Sequence, residues 1–150
     1  MKLAEALQAR ADLNRRLEQL RMRIVNNATV QEGESPAEDP QQLLLEADAV
    51  VAELETLITR INLTNAKTTI DGKPLTEWIA HRDSLHLQIG LYRSAVDAGS
   101  QLARRAAHTE IKILSAVDVA ALQRKADSLS KTLRETDNRI QMTNWSTELL

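Results

Sequence analysis

The chain of 150 residues contains no cysteine and no phenylalanine, and its aromatic complement is two Trp and one Tyr. Without cysteine there are no disulfides, no thiolate catalysis and no cysteine-ligated metal sites. Aromatics make up 2% of residues against 43% hydrophobic overall, so the core must be built from Leu, Ile, Val and Ala. Such a core suits helix packing better than sheet packing. Long apolar runs are also missing. Glu5, Arg10 and Asp12 interrupt the first segment before a signal-peptide run can form, and no later stretch approaches ~18 uncharged residues. A cytoplasmic protein that does not enter a membrane is expected. No compact set of nucleophile, base, metal ligand or phosphate loop is present, so no catalytic residue, metal ligand or cofactor is assigned.

What the chain does have is apolar residues at helical spacing in four stretches. In the first they fall at Leu3, Leu7, Leu13, Leu17, Leu20 and Ile24, steps of three or four that keep one side of a helix apolar. This predicts a helix from about Leu3 to Asn27, roughly 37 Å long at 1.5 Å per residue. Residues 28–40, with Gly33, Pro36, Pro40 and four carboxylates, read as a long loop. Asp39 is placed to cap a second helix with Pro40 at its first position, and that helix is expected to fade between Asn62 and Asn65. Asp71-Gly72 predicts a two-residue hairpin turn, with Pro74 confining its strand to an edge.

Thr76 is read as the cap of a third helix, whose stripe is Trp78/Ile79, Leu85, Ile89, Tyr92 and Val96. Gly90 and Gly99 within it each cost about 1 kcal/mol relative to Ala. Ala95, Gly99 and Ala103 recur every four residues, a face that permits close approach of another segment. The alternation in EIKIL, residues 110–114, predicts a short strand, and Asp118 caps a fourth helix with its stripe at Leu122, Ala126, Leu129, Leu133 and Ile140. The tail after Trp145 is apolar enough to dock on something. The expected fold is mainly α: an antiparallel bundle of about four long helices with a small β-hairpin and strand, as one domain over 1–150.

Net charge is only −2, but it is unevenly spread. Residues 1–27 carry six basic and three acidic side chains, whereas residues 28–58 carry eight acidic side chains and no Lys or Arg. Opposite fields on the first two helices favour their pairing over alternatives. On that reading the arginines of helix one face helix two and do not bind nucleic acid, in keeping with a pI of about 5.9 and too few aromatics to stack bases.

NNATVQEGESPAEDP at 26–40, ITRINLTNAKT at 58–68, RDSLHLQI at 82–89, EIK and VDVAALQ between 110 and 123, and DNRIQMTNW at 137–145 resemble the septicolysin-like family of small bacterial proteins. The resemblance implies a mainly helical soluble protein, and the family's name implies a membrane-active cytolysin. It supplies no catalytic residues.

Among candidate contacts, Glu32, Glu34, Glu38 and Asp39 put carboxylates on one loop, where they could wrap a hard cation or dock on a basic partner, although the spacing is not that of an EF-hand. Arg82 and Asp83 are read as a polar network. His81 and His86, five apart, diverge by about 140° on a helix and do not form a zinc pair, and His108 lies far along the chain. Ile111, Ile113 and Trp145 are candidate oligomer contacts. The leading expectation is a non-enzymatic homo-oligomeric scaffold or interaction protein. The alternatives are the cytolysin implied by the resemblance and a metal- or ligand-binding protein using the acidic loop.

Overall fold

The computed structural model describes residues 1–101 and 111–150. Its elements are α1 (Leu3–Asn27), α2 (Pro40–Lys67), β1 (Thr69–Ile70), β2 (Lys73–Pro74), α3 (Leu75–Ser100) and α4 (Val119–Ser146). The fold is mainly α with one small antiparallel hairpin. The described residues form two compact units, Met1–Thr69 with Thr143–Leu150, and Ile70–Met142.

In the first unit α1 packs on α2. Ion pairs join Arg16 to Glu46 at 2.8 Å and Arg23 to Glu38, so rising numbers on α1 meet falling numbers on α2 and the helices are antiparallel. Buried residues recur every seven positions, at Ala6, Leu13 and Leu20 on one helix and at Leu43, Val50, Leu57 and Thr64 on the other. That is the period of a coiled-coil seam. Arg16 thus meets a carboxylate of α2 and Arg23 one in the loop before it, whereas Arg15 and Arg21 pair within their own helix, with Asp12 and Glu18.

Three of the four described helix starts carry a side-chain cap. The Lys2 backbone N–H donates to the Glu5 carboxylate at 2.7 Å, Asp39 Oδ1 accepts from Gln41 N at 2.9 Å with Pro40 beside it, and Asp118 Oδ1 accepts from Ala121 N at 3.0 Å. The loop between α1 and α2 is closed by Asn27, whose Oδ1 accepts the Glu38 N–H at 3.0 Å.

The chain's last residues dock within the first unit. Leu3 N donates to Thr147 O and Leu149 N to Met1 O, both at 2.9 Å, while Lys2 Nζ pairs with Glu148 at 2.6 Å. Thr64 Oγ1 accepts the Leu150 N–H at 3.1 Å, and Arg60 Nε donates to Leu150 O at 2.6 Å. Thr64 also donates back to Arg60 O. These bonds correct the expected end of α2: the helix runs on to Lys67 because Thr64 is a buried anchor for the tail, not a fraying end.

In the second unit, Leu85 and Ile89 of α3 pack with Leu129 of α4, joined by Tyr92 and Leu133. The hairpin turns at Asp71 (φ 50°) and Gly72 (φ 78°), the two positive values that a type I′ turn requires. The cap of α3 differs from expectation. Helix begins at Leu75, directly after Pro74, and Leu75 is fully buried, so Thr76 already lies inside the first turn.

The strand expected at EIKIL is also corrected. Glu110 lies outside the described residues, and Ile111 to Leu114 are irregular. The described strands β1 and β2 pair only with each other, and a lone segment has no ladder to join. In the small-residue series Ala95, Gly99 and Ala103, the last lies outside the described residues, as does His108. At Gly99 a Cβ would sit 2.8 Å from Val117 Cγ2 and 3.0 Å from both Ser115 Oγ and Val119 Cγ2. The segment leading into α4 therefore rests on the last turn of α3.

Candidate functional site

The hairpin is lashed to both helices of its unit. Trp78 Nε1 donates to Ile70 O at 3.1 Å, and Asp71 Oδ2 accepts from Arg139 Nη1 at 2.6 Å. The Arg139 guanidinium also lies over the Trp78 ring, 5.0 Å from its centroid, a cation–π seat. These contacts brace one end of a cleft of about 470 Å³ between the first turns of α3 and the later turns of α4.

Lys73, Glu77, Trp78 and His81 line one side of the cleft, and Thr132, Glu135, Thr136 and Arg139 the other. Trp78 is half-buried and Thr136 is 4% exposed. The lining carries two cationic side chains, two carboxylates and an imidazole, with an indole and two hydroxyls between them. Its size falls within the range of small-ligand sites.

The residues expected from the sequence are placed elsewhere. Glu38 makes a two-toothed pair with Arg23, which holds its carboxyl below the usual carboxylate range and raises the arginine in turn, in both cases through the hydrogen bond first. Asp39 caps α2. Glu32 and Glu34 are exposed, and among the described residues no three His, Asp or Glu side chains come together as a metal-holding group. Arg82 and Asp83 pair with each other at 2.9 Å. Ile111 is 79% exposed, Ile113 36% and Trp145 54%.

The cleft as an assembly was not foreseen. One signal was legible: Thr136 interrupts the stripe Leu129, Leu133, Ile140 at the position where another apolar residue belongs.

Comparison with known proteins agrees with the fold. A family model described as a family of unknown function, DUF6847, matches residues 10–149. The chain therefore belongs to that family. It is similar to a functionally unknown conserved protein from Corynebacterium diphtheriae, known from a crystal structure, at 36% identity and a TM-score of 0.95, covering 100% of this chain and 99% of that one. No curated protein matches. These findings correct the septicolysin-like resemblance: the family matched over almost the whole chain is a different one, and the cytolytic activity implied by the other name has no basis here. Among the described residues no helix is long and apolar enough to cross a membrane.

Proposed function

For this member of the family we propose a non-enzymatic interaction protein that works as a cytoplasmic homodimer, paired through the outward face of α3. One observation carries the reading. Ala80, Ser84, Leu87, Leu91, Ser94 and Ala98 are all exposed and are spaced four, three, four, three and four apart, a coiled-coil stripe. At 100° per residue the stripe lies about opposite Leu85, Ile89 and Tyr92, which face the core. Leu87 and Leu91 are 74% and 72% exposed.

The stripe is also a palindrome. Turned antiparallel about its midpoint, Ala80 meets Ala98 of a second copy, Ser84 meets Ser94, and Leu87 meets Leu91. A surface that complements itself is what a two-fold interface needs, and the small residues at both ends let the helices approach. This supports a second copy over an unrelated partner, which would have no reason to match the symmetry.

Sedimentation equilibrium tests the reading. The unmodified protein should be dimeric at tens of micromolar, and Leu87→Glu with Leu91→Glu should be monomeric with an unchanged circular dichroism spectrum. Asp83 and Asp97 flank the stripe and approach each other across the two-fold, so association should tighten as salt rises. A monomeric wild type, or a dimer that survives the double substitution, overturns the proposal. In the second case Ile111→Lys with Ile113→Lys would show whether the irregular segment joins the copies.

A further inference from the structure

Several helical hydroxyls in this protein are returned to the carbonyl four residues back. Thr64 donates to Arg60 O, Ser130 to Ala126 O and Thr132 to Ser128 O. Thr136 lies in the core stripe of α4 and is buried, yet among the described residues its hydroxyl makes no hydrogen bond. What Thr136 leaves uncovered lines the cleft, where its hydroxyl can serve a ligand as donor and acceptor.

The charges around it are also uncommitted. Among the described residues the side chains of Lys73, Glu77 and His81 form no hydrogen bond or ion pair, and that of Glu135 has only a 4.0 Å exposed contact with Lys131. Arg139 is the exception, fixed by Asp71 and the Trp78 ring. An anion would meet two carboxylates in this cleft and a cation would meet Lys73 and Arg139. A ligand carrying both charges meets an opposite charge at each end.

The backbone spacing along α4 suits a short ligand. Glu135 and Arg139 are four residues apart on α4, a rise of ~6 Å. An α-amino acid separates its ammonium nitrogen from its carboxylate carbon by only about 2.5 Å. One further residue adds a Cα–Cα step of ~3.8 Å, bringing the two ends up to ~6 Å apart.

We propose that the cleft between α3 and α4 binds a free dipeptide as a zwitterion. Its carboxylate lies at Lys73 and Arg139, its ammonium at Glu77 and Glu135, its backbone on the Thr136 hydroxyl, and a side chain against Trp78. The site does not depend on dimerisation, since every residue comes from one chain.

Titration calorimetry of the full chain with a panel of alanyl, leucyl and phenylalanyl dipeptides tests this. At least one should give saturable heat at or below millimolar concentration. Its N-acetyl and C-amide forms, and the free amino acids, should bind at least about tenfold more weakly. Lys73→Met and Glu135→Gln, both exposed, should each weaken binding about tenfold without moving Tm, and Thr136→Val should weaken it while remaining folded. No heat from any dipeptide, blocked forms that bind as well as free ones, or binding unaltered by Lys73→Met and Glu135→Gln would each overturn the proposal.

Discussion

Gly99 and Gly90 sit nine residues apart in one helix, and alanine at the two positions should shift stability in opposite directions. An alanine methyl at Gly90 would meet nothing within 4 Å, so Gly90→Ala receives only the helix-propensity gain, about 0.5–1 kcal/mol. At Gly99 the same methyl would lie 2.8 Å from Val117 Cγ2 and 3.0 Å from Val119 Cγ2, both on stiff β-branched side chains. It would also crowd Ser115 Oγ, which donates to Val117 O at 2.9 Å and cannot turn away freely. Forcing a methyl into a filled site costs roughly 1–3 kcal/mol, and the propensity gain is reduced one residue from the end of α3. The net for Gly99→Ala is a loss of about 1–2 kcal/mol. In a chain of this length 1 kcal/mol corresponds to about 2–4 °C, so the two Tm values should straddle that of the unmodified protein. Urea denaturation monitored by circular dichroism provides the check, with the midpoint moving at constant m-value. A Gly99→Ala protein as stable as Gly90→Ala would mean that residues 115–119 do not rest on α3.

Two further outcomes are expected in the first unit. Leu20 is 1% exposed in the α1–α2 seam, and Leu20→Asp would place a carboxylate there without a partner, costing on the order of 3 kcal/mol or more; an unchanged urea midpoint would refute the placement. Glu38 and Glu148 are held below the usual carboxylate range, by the Arg23 hydrogen bond in one case and by Lys2 and then the amino terminus in the other. A pKa lower in the folded than in the unfolded state stabilises above the unfolded value, about 4.3, and that contribution is lost as pH falls through the folded value. Glu38→Gln with Glu148→Gln should therefore lower Tm above pH 6 and flatten its fall towards acid, the two profiles converging at low pH, and superimposable profiles would count against both pairs.

The helices were legible because their signals are local. The stripe from Leu3 to Ile24, the Asp39-Pro40 start, the Asp118 cap and the Asp71-Gly72 turn each state their structure within a few residues, and the structure follows them. The misreadings are places where a distant residue decides. Nothing near Asn62 says that Leu150 will bond to Thr64 and hold that turn in the helix. Nothing near EIKIL says that no strand lies beside it, and Thr76 has good capping chemistry that was pre-empted by a strand running straight into helix at Leu75.

The same distinction separates the two sets of candidate residues. Glu38 and Asp39 drew attention because they stand together in sequence, yet one holds Arg23 and the other caps α2, tasks that any loop entering a helix beside a basic neighbour would set. The VQEGE and AEDP strings that carried the septicolysin-like resemblance come from that same loop, so part of what looked distinctive there is the local grammar of an Asp-Pro helix start. Lys73, Trp78, Thr136 and Arg139 span more than sixty residues and share no motif; they become neighbours only because Leu85, Ile89 and Leu129 clamp α3 to α4. Within that clamp the informative residue is the one that breaks the pattern. A threonine in a leucine stripe forgoes apolar burial on every folding event, and among the described residues its hydroxyl, unlike that of buried Thr64, is not returned to the carbonyl four residues back but faces the cleft.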